Sequence, residues 1–233
     1  MTPGRPGEPP RPRRVADGPA GRAEAIRALR DGGIVALPTD TVYGIAVALT
    51  VPDGIERLFA AKDRPPDRAV PLLLADADQA AELGRLGPAA RLLAAALWPG
   101  GLTLVVPRRE DRPLPVALTA GPEPEPATVG VRVPDHDAPR ALARALGPLP
   151  TTSANRSGEP EARDAEAIGA TLGSAVALIL DGGPAHGGPP STVVDVSGDV
   201  PRILRHGAIP AERIAGILRK AGFPEPADAG VGR

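Results

Sequence analysis

An α/β fold, a largely parallel or mixed sheet covered by helices, is predicted by three features of the 233-residue chain. Short apolar runs of strand length alternate with segments of helical period, the pattern of strands that return through helices rather than of a sandwich or a bundle. The apolar share is 42% while aromatics are only 2%, so the core is aliphatic, built from Ala, Val, Leu and Ile. The length suits one large domain, and no internal repeat or second core is visible in the pattern. No apolar run reaches membrane-spanning length and no signal-peptide pattern opens the chain, so a cytoplasmic protein without membrane contact is expected. The lack of cysteine excludes disulfides and thiolate zinc sites, and His136, His186 and His206 are scattered without metal-ligand spacing.

Element by element, residues 1–20 hold Pro, Gly and Arg without a hydrophobic period and read as a disordered arm. The folded domain is expected over 21–222, with 223–233 a frayed tail. A helix over 22–31 points Ala23, Ile26, Ala28 and Leu29 inward and is closed by Gly32-Gly33. The strand 34–37 follows, then a turn and a second short strand at 45–49. Residues 53–62, with Ile55, Leu58 and Phe59 three and four apart, form an amphipathic helix ending at Lys62. Residues 70–74 read as a strand, and 77–83 and 88–97 as helices, the second opened by Pro88 at a favoured first-turn position. Trp98-Pro99-Gly100-Gly101 turns the chain into strand 102–106, and the Pro- and acid-rich stretch 107–127 reads as a surface loop. Then come strand 128–133, helix 138–146, a polar loop at 150–158, helix 164–172, strand 176–180 and a Gly/Pro loop at 181–190. Strand 192–196, a short strand near Ile203 and a helix at 211–221 complete the series.

The chemistry concentrates at strand ends. Pro38-Thr39-Asp40-Thr41-Val42-Tyr43-Gly44 places two hydroxyls and a carboxylate where a buried strand reaches the surface. Polar groups converging at a strand end are how α/β proteins bind small molecules. Lys62-Asp63-Arg64 with Arg68 sets three cations in seven residues, fit for a polyphosphate and equally fit to complement a helix dipole. Lys62 stands out because Lys220 is the only other lysine among 27 basic residues. Thr128, Gly130 and Arg132 share one face of a strand, where Arg132 meets either an anionic ligand or, on an edge strand, solvent. Thr151-Thr152-Ser153-Ala154-Asn155 supplies hydroxyls and an amide that suit ribose, phosphate or an amino acid, or that cap local turns. Ser191-Thr192 repeats that chemistry, with Arg205 following 14 residues after Ser191. No glycine-rich phosphate loop, H-E-x-x-H or nucleophile elbow is present, and Asp40, Asp181 and Asp195 show no partner that would mark a general base. A net charge of −1 argues against a protein whose main task is gripping a nucleic-acid backbone. Cations with hydroxyls fit an enzyme that positions phosphates and a carboxylate better than one that abstracts protons.

In order, PTDTVYG, K-D-R-P with Arg68, WPGG-LTLV, T-V-G-V-R-V-P, TTSANRSG, S-T-V-V-D and R-H-G-A resemble the YrdC-like threonylcarbamoyl-AMP synthase family over about residues 20–210, in its short, single-domain form. The resemblance implies a twisted mixed sheet flanked by helices around a concave basic cavity. It implies an activity that joins L-threonine, bicarbonate and ATP into threonylcarbamoyl-AMP and pyrophosphate, with Mg²⁺ on the ATP phosphates and no protein metal site. A tRNA threonylcarbamoyl transferase complex would receive the product, and weak tRNA binding is a further implied partner. Carried over residue by residue, the resemblance assigns Thr41, Arg132, Thr151 and Ser191 to threonine. It assigns Arg64, Arg68, Thr128, Ser153 and Arg205 to ATP, with Asn155 lining the same cavity, and the catalytic charges are Lys62 and Arg64. Thr39 and Tyr43 are read as scaffold. Two alternatives are kept: an RNA-binding module of the same fold without synthase activity, and a carbamoyl-adenylate-forming relative like the hydrogenase-maturation carbamoyltransferases, whose extra cysteine-bearing regions this chain lacks.

Overall fold

The protein is described from a computed structural model covering residues 12–62, 70–112, 114–115, 118–120, 127–156, 158–185 and 188–229. The strands are β1 (Arg13–Ala16), β2 (Val35–Leu37), β3 (Gly44–Ala46), β4 (Leu72–Leu73), β5 (Leu102–Pro107), β6 (Thr119–Ala120) and β7 (Thr128–Arg132). They continue with β8 (Leu149–Ser153), β9 (Leu178–Asp181), β10 (Thr192–Asp195), β11 (Arg202–Arg205) and β12 (Ala227–Asp228). The helices are α1 (Pro19–Arg30), α2 (Gly54–Ala60), α3 (Ala77–Leu83), α4 (Pro88–Leu97), α5 (Asp137–Leu146), α6 (Ala165–Leu172) and α7 (Ala211–Lys220). The sheet runs β1-β9-β2-β3-β8-β4-β7-β5-β10-β11-β12, with β6 beside β7. Pairing is mixed: β5 and β10 are parallel, while β5 and β7 and the β2–β3–β8–β4 run are antiparallel.

Alternation along the strands decides what each face of the sheet meets. Ala36, Ile45, Leu72, Leu104, Val131, Ile179 and Val194 point to one face and join the larger core cluster with Leu58 of α2, Leu93 of α4, Ile168 of α6 and Leu218 of α7. Their neighbours Val35, Leu37, Ala46, Leu149, Leu178 and Leu180 point to the other face and pack with Leu29 of α1 and Leu142 of α5 in a smaller cluster. Apolar residues on both faces of β2 and β9 are therefore what a strand covered on two sides requires. On that second face α1 covers β9 and β2, and α5 covers part of β8 and β4. Farther along, β7, β5 and β10 alternate core valines and leucines with Gly130, Thr103, Val105 and Val193, which line an open cavity.

Four expectations about elements change. Residues 12–20 are not a disordered arm: β1 pairs in parallel with β9, Arg14 bridges Asp181 at 2.6 Å, and α1 begins at Pro19. Short and charged, β1 lacks any apolar period because it lies on the sheet edge, and residues 1–11 fall outside the described set. The polar loop at 150–158 is in its first part the interior strand β8, whose hydroxyls face the cavity where apolar residues would face a core. Within 107–127, β6 pairs with β7, and in the tail β12 pairs with β11, both two-residue strands held by backbone bonds that side-chain pattern does not reveal. The glycine pair closing α1 is as read: Gly32 has φ 88° and the Gly33 amide bonds the Ala28 carbonyl at 2.8 Å. Among the described residues no helix is long and apolar enough to cross a membrane.

Candidate active site

The uncovered face forms a cavity of about 1050 Å³ bounded by the turn after β2 and by β8, β4, β7, β5, β10 and β11. Its wall includes Thr41, Thr128, Arg132, Thr151, Ser153, Ser191 and Arg205, brought together from five separate motifs.

Arg132 is the buried charge at the centre. Strand β7 lies between β4 and β5, so the edge-strand alternative for this side chain does not apply, and only 7% of it is exposed. Its Nη2 donates to Asp40 Oδ1 at 2.6 Å, Nη1 to Thr41 Oγ1 at 3.1 Å and Nε to the Gly100 carbonyl at 3.0 Å. Desolvation pulls the pKa of the guanidinium below its usual value, and Asp40 opposes that shift. Asp40 is thus the counter-ion of Arg132. The turn that carries Asp40 is stiffened from within, because Thr39 Oγ1 donates to the Val42 carbonyl at 2.6 Å and accepts from the Thr41 amide at 3.1 Å. Tyr43 ties the same turn to the loop after β9: its hydroxyl donates to the Gly183 carbonyl at 2.6 Å and accepts from the Gly182 amide at 3.0 Å. Burial pushes its phenol pKa up.

A second cluster forms at the start of β10. Arg205 Nε and Nη2 donate to the Ser191 carbonyl at 3.0 and 2.9 Å, and Nη2 also donates to Ser191 Oγ at 3.0 Å. Close backbone approach makes this possible: a Cβ on Gly207 would lie 2.2 Å from the Pro190 carbonyl oxygen and 2.6 Å from the Thr192 amide nitrogen. Gly207→Ala is therefore expected to push the 190–192 backbone away, destabilising the fold by about 1–3 kcal/mol and disordering Ser191. Thermal unfolding together with ligand titration checks this, and a variant of parent stability and affinity would contradict it.

Lys62 is 3% exposed and lies behind the cavity wall rather than in it. Its Nζ donates to the Ser153 carbonyl, to Ser153 Oγ at 3.1 Å and to Asn155 Oδ1 at 3.2 Å. Asn155 also sits behind the wall, where its Nδ2 donates to the Arg156 and Glu159 carbonyls at 3.0 and 2.6 Å. Arg64 and Arg68 lie outside the described residues. Thr151 Oγ1 donates to the Leu149 carbonyl at 2.9 Å, which leaves its lone pairs toward the cavity.

Sequence reasoning left out Thr103, Glu161 and Arg202, and it gave Asp195 no place in the site; all four line the cavity. Asp195 accepts from the Ser197 hydroxyl at 2.6 Å, the Ser197 amide at 2.9 Å and Arg202 Nη2 at 2.6 Å. Asp181 likewise closes a turn through the Gly183 amide at 3.0 Å. Both aspartates cap turns rather than act as bases. Among the described lining residues Arg132, Arg202 and Arg205 are matched by Glu161, Asp195 and Asp199, so the described wall is charge-balanced rather than basic.

Burial works to raise the Asp195 pKa, but the Ser197 bonds and Arg202 together outweigh it and hold the value below the ordinary 3.8. The unfolded chain then binds this proton more readily than the folded one. The stabilisation is complete above about pH 4 and is lost as the pH falls through the lower folded value. Acid unfolding of Asp195→Asn is expected to show a shallower loss of stability below that pH than the parent. Parallel curves would contradict this.

The uncovered sheet face, carrying arginines and hydroxyls from separate motifs, gives an α/β protein with a polar cavity of small-molecule size. The profile of the Sua5/YciO/YrdC family, described as "Telomere recombination", matches residues 27–207. The chain is 39% identical over 200 residues to the threonylcarbamoyl-AMP synthase of Bacillus subtilis, covering 84% of this chain and 56% of that protein. It is 38% identical over 176 residues to the threonylcarbamoyl-AMP synthase of Chromohalobacter salexigens, covering 75% of this chain and 91% of that one. The solved structure of Pyrococcus abyssi Sua5 complexed with L-threonine superposes with a TM-score of 0.80 at 32% identity, covering 93% of this chain and 62% of that one. The chain spans less than two thirds of the Bacillus and Pyrococcus proteins. It belongs to the Sua5/YciO/YrdC family.

Proposed function

We propose that the chain is an L-threonylcarbamoyladenylate synthase, converting L-threonine, bicarbonate and ATP into threonylcarbamoyl-AMP and pyrophosphate in the cytoplasm. The carrying observation is that buried Arg132 with Thr41, and Arg205 with Ser191, open onto one cavity of about 1050 Å³, room for an amino acid beside a nucleotide. The synthases to which the chain is similar support the same reading.

In this reading Arg132 pairs with the threonine carboxylate through the N–H groups that Asp40, Thr41 and Gly100 leave free, since a guanidinium carries five. Thr41, Thr151 and Ser191 bond the amino acid. Thr128, Ser153 and Arg205, with Arg64 and Arg68, hold ATP, while Lys62 and Asn155 brace Ser153 from behind. Arg64 and Lys62 supply positive charge at the phosphate end. The threonine amine and bicarbonate give a carbamate and water. A carbamate oxygen then bonds the α-phosphorus as its bond to the bridging oxygen breaks, and pyrophosphate leaves with that electron pair. No protein nucleophile is needed, so catalysis is alignment and charge neutralisation. Mg²⁺ enters with the triphosphate in this scheme. Among the described residues no group of three or more His, Asp or Glu could hold a metal, so no step is assigned to one.

The adenylate would pass to a transferase that modifies tRNA. The RNA-binding alternative is not favoured, given the net charge of −1 and the charge-balanced wall. The test is pyrophosphate release from ATP with threonine and bicarbonate each omitted in turn. Release that needs both supports the reading, and equal release without threonine contradicts it.

A further inference from the structure

We propose that Thr103 of β5 is a positioning residue that fixes the Ser191 hydroxyl as a hydrogen-bond donor toward an anionic oxygen in the cavity; the proposal rests on the synthase reading. Thr103 is 2% exposed and Ser191 4%, both within the cavity wall. The parallel pairing of β5 with β10, Leu102 opposite Thr192 and Thr103 opposite Val193, brings the two side chains together. Thr103 Oγ1 lies 2.8 Å from Ser191 Oγ, its sole hydrogen-bond partner among the described residues.

Proton counting with an anionic oxygen in the cavity sets the direction. A hydroxyl has one hydrogen to give and two lone pairs to offer, and a guanidinium can only give. Arg205 Nη2 therefore donates to Ser191 Oγ and takes one lone pair. Without a ligand either hydroxyl can be the donor, since Ser191 giving its hydrogen to Thr103 only moves the unmatched hydrogen from one cavity-lining hydroxyl to the other, whereas an anionic oxygen beside Ser191 Oγ requires the Ser191 hydrogen. With Thr103 then donating, both Ser191 lone pairs are filled and its hydrogen is turned out to the cavity. A serine held in that state can serve only as a donor. It suits the carboxylate or the nascent carbamate of the amino acid, which are acceptors alone, and it disfavours a ligand donor such as an ammonium at that point. Because Arg205 is bonded to the same oxygen, the amino-acid and nucleotide subsites share one hydrogen-bonded unit.

The test measures threonine affinity by calorimetry for the parent, Thr103→Val, Thr103→Ser, Ser191→Ala and the Thr103→Val/Ser191→Ala pair, with pyrophosphate release followed separately. Valine keeps the shape and removes the hydroxyl. Thr103→Val is expected to weaken threonine about tenfold, the scale of one buried hydrogen bond, while ATP affinity changes by less than about threefold, the scale of a minor contact. Thr103→Ser is expected to restore parent affinity. In the Ser191→Ala background Thr103→Val is expected to add nothing further. Parent-like affinity in Thr103→Val, failure of Thr103→Ser to rescue, or full additivity in the pair would overturn the proposal. Should Thr103→Val not fold, the Thr103→Ser and Ser191→Ala affinities decide: a large loss in the first or none in the second overturns it. A parent that binds threonine but releases no pyrophosphate would sink the synthase reading alone, since the affinities still report on Thr103. A parent that binds no threonine would sink both.

Discussion

Arg132→Ala is expected to weaken threonine binding by roughly 10- to 150-fold and to lower folding stability by about 3 kcal/mol, the low end for breaking a buried ion pair. Two separate physical effects lie behind the two numbers. The binding loss is that of a charge-assisted carboxylate pair, roughly 1.5–3 kcal/mol or 10- to 150-fold in affinity. The stability loss arises because Asp40, with 15% of its side chain exposed, keeps its charge but loses the guanidinium 2.6 Å away. The Thr41 hydroxyl and the Gly100 carbonyl lose a donor at the same time. Arg132→Lys is not conservative here, since one ammonium cannot reach three partners in a plane. Replacing both members, Arg132→Met with Asp40→Leu, is expected to recover most of the stability and none of the binding, because no uncompensated charge remains. Denaturant unfolding and threonine titration of the three variants separate the effects. A stable Arg132→Ala with near-parent affinity would contradict both the pairing and the assignment.

Lys62→Ala is expected to depress turnover by about 10²-fold, the scale of removing a fixed charge or donor near a reacting phosphate. Its KM for threonine should change by less than about threefold, as for a contact outside that subsite. The ammonium binds the Ser153 carbonyl and hydroxyl and Asn155 Oδ1, and all of these belong to the proposed nucleotide side. Losing it leaves Ser153 Oγ and Asn155 Oδ1, only 2.5 Å apart, without the cation that sits on both. Lys62→Arg should not rescue turnover, because a compact ammonium fits between three close oxygens where a planar fork does not. Steady-state rates with varied ATP and varied threonine check this, and an unchanged kcat would remove Lys62 from the proposed chemistry.

Much of this architecture is legible in the amino-acid sequence, and the exceptions have physical causes. The helices α3 and α4 match their predicted ranges because Asp76 caps one, Pro88 opens the other, and both bury a regular apolar stripe. Strand β8 hid behind Pro150 and three hydroxyls: a strand with one face on a cavity loses the apolar alternation that identifies strands. β1 and β12 are edge elements whose side chains face mostly water, so pattern carries little information there. At the site, residues within a contiguous motif could be read directly, as with Thr39, Thr41 and Tyr43. The Asp40–Arg132 pair joins positions 92 apart and emerges only when the sheet order is known. Thr103 was visible only inside the WPGG-LTLV motif, with no role to read from it, since a single threonine in an apolar strand looks like packing. Its position opposite β10 is what gives it a partner. Gly207 was visible as part of a motif, yet its reason, backbone touching backbone, is a property of the assembled fold.

The most direct test of the account is to incubate the protein with ATP, L-threonine and ¹³C-bicarbonate and identify the adenylated product by mass. The account predicts threonylcarbamoyl-AMP carrying the label in its carbamoyl carbon, formed in step with pyrophosphate and absent when threonine is left out. Pyrophosphate release with no labelled adenylate, or an adenylate formed equally well without bicarbonate, would contradict it.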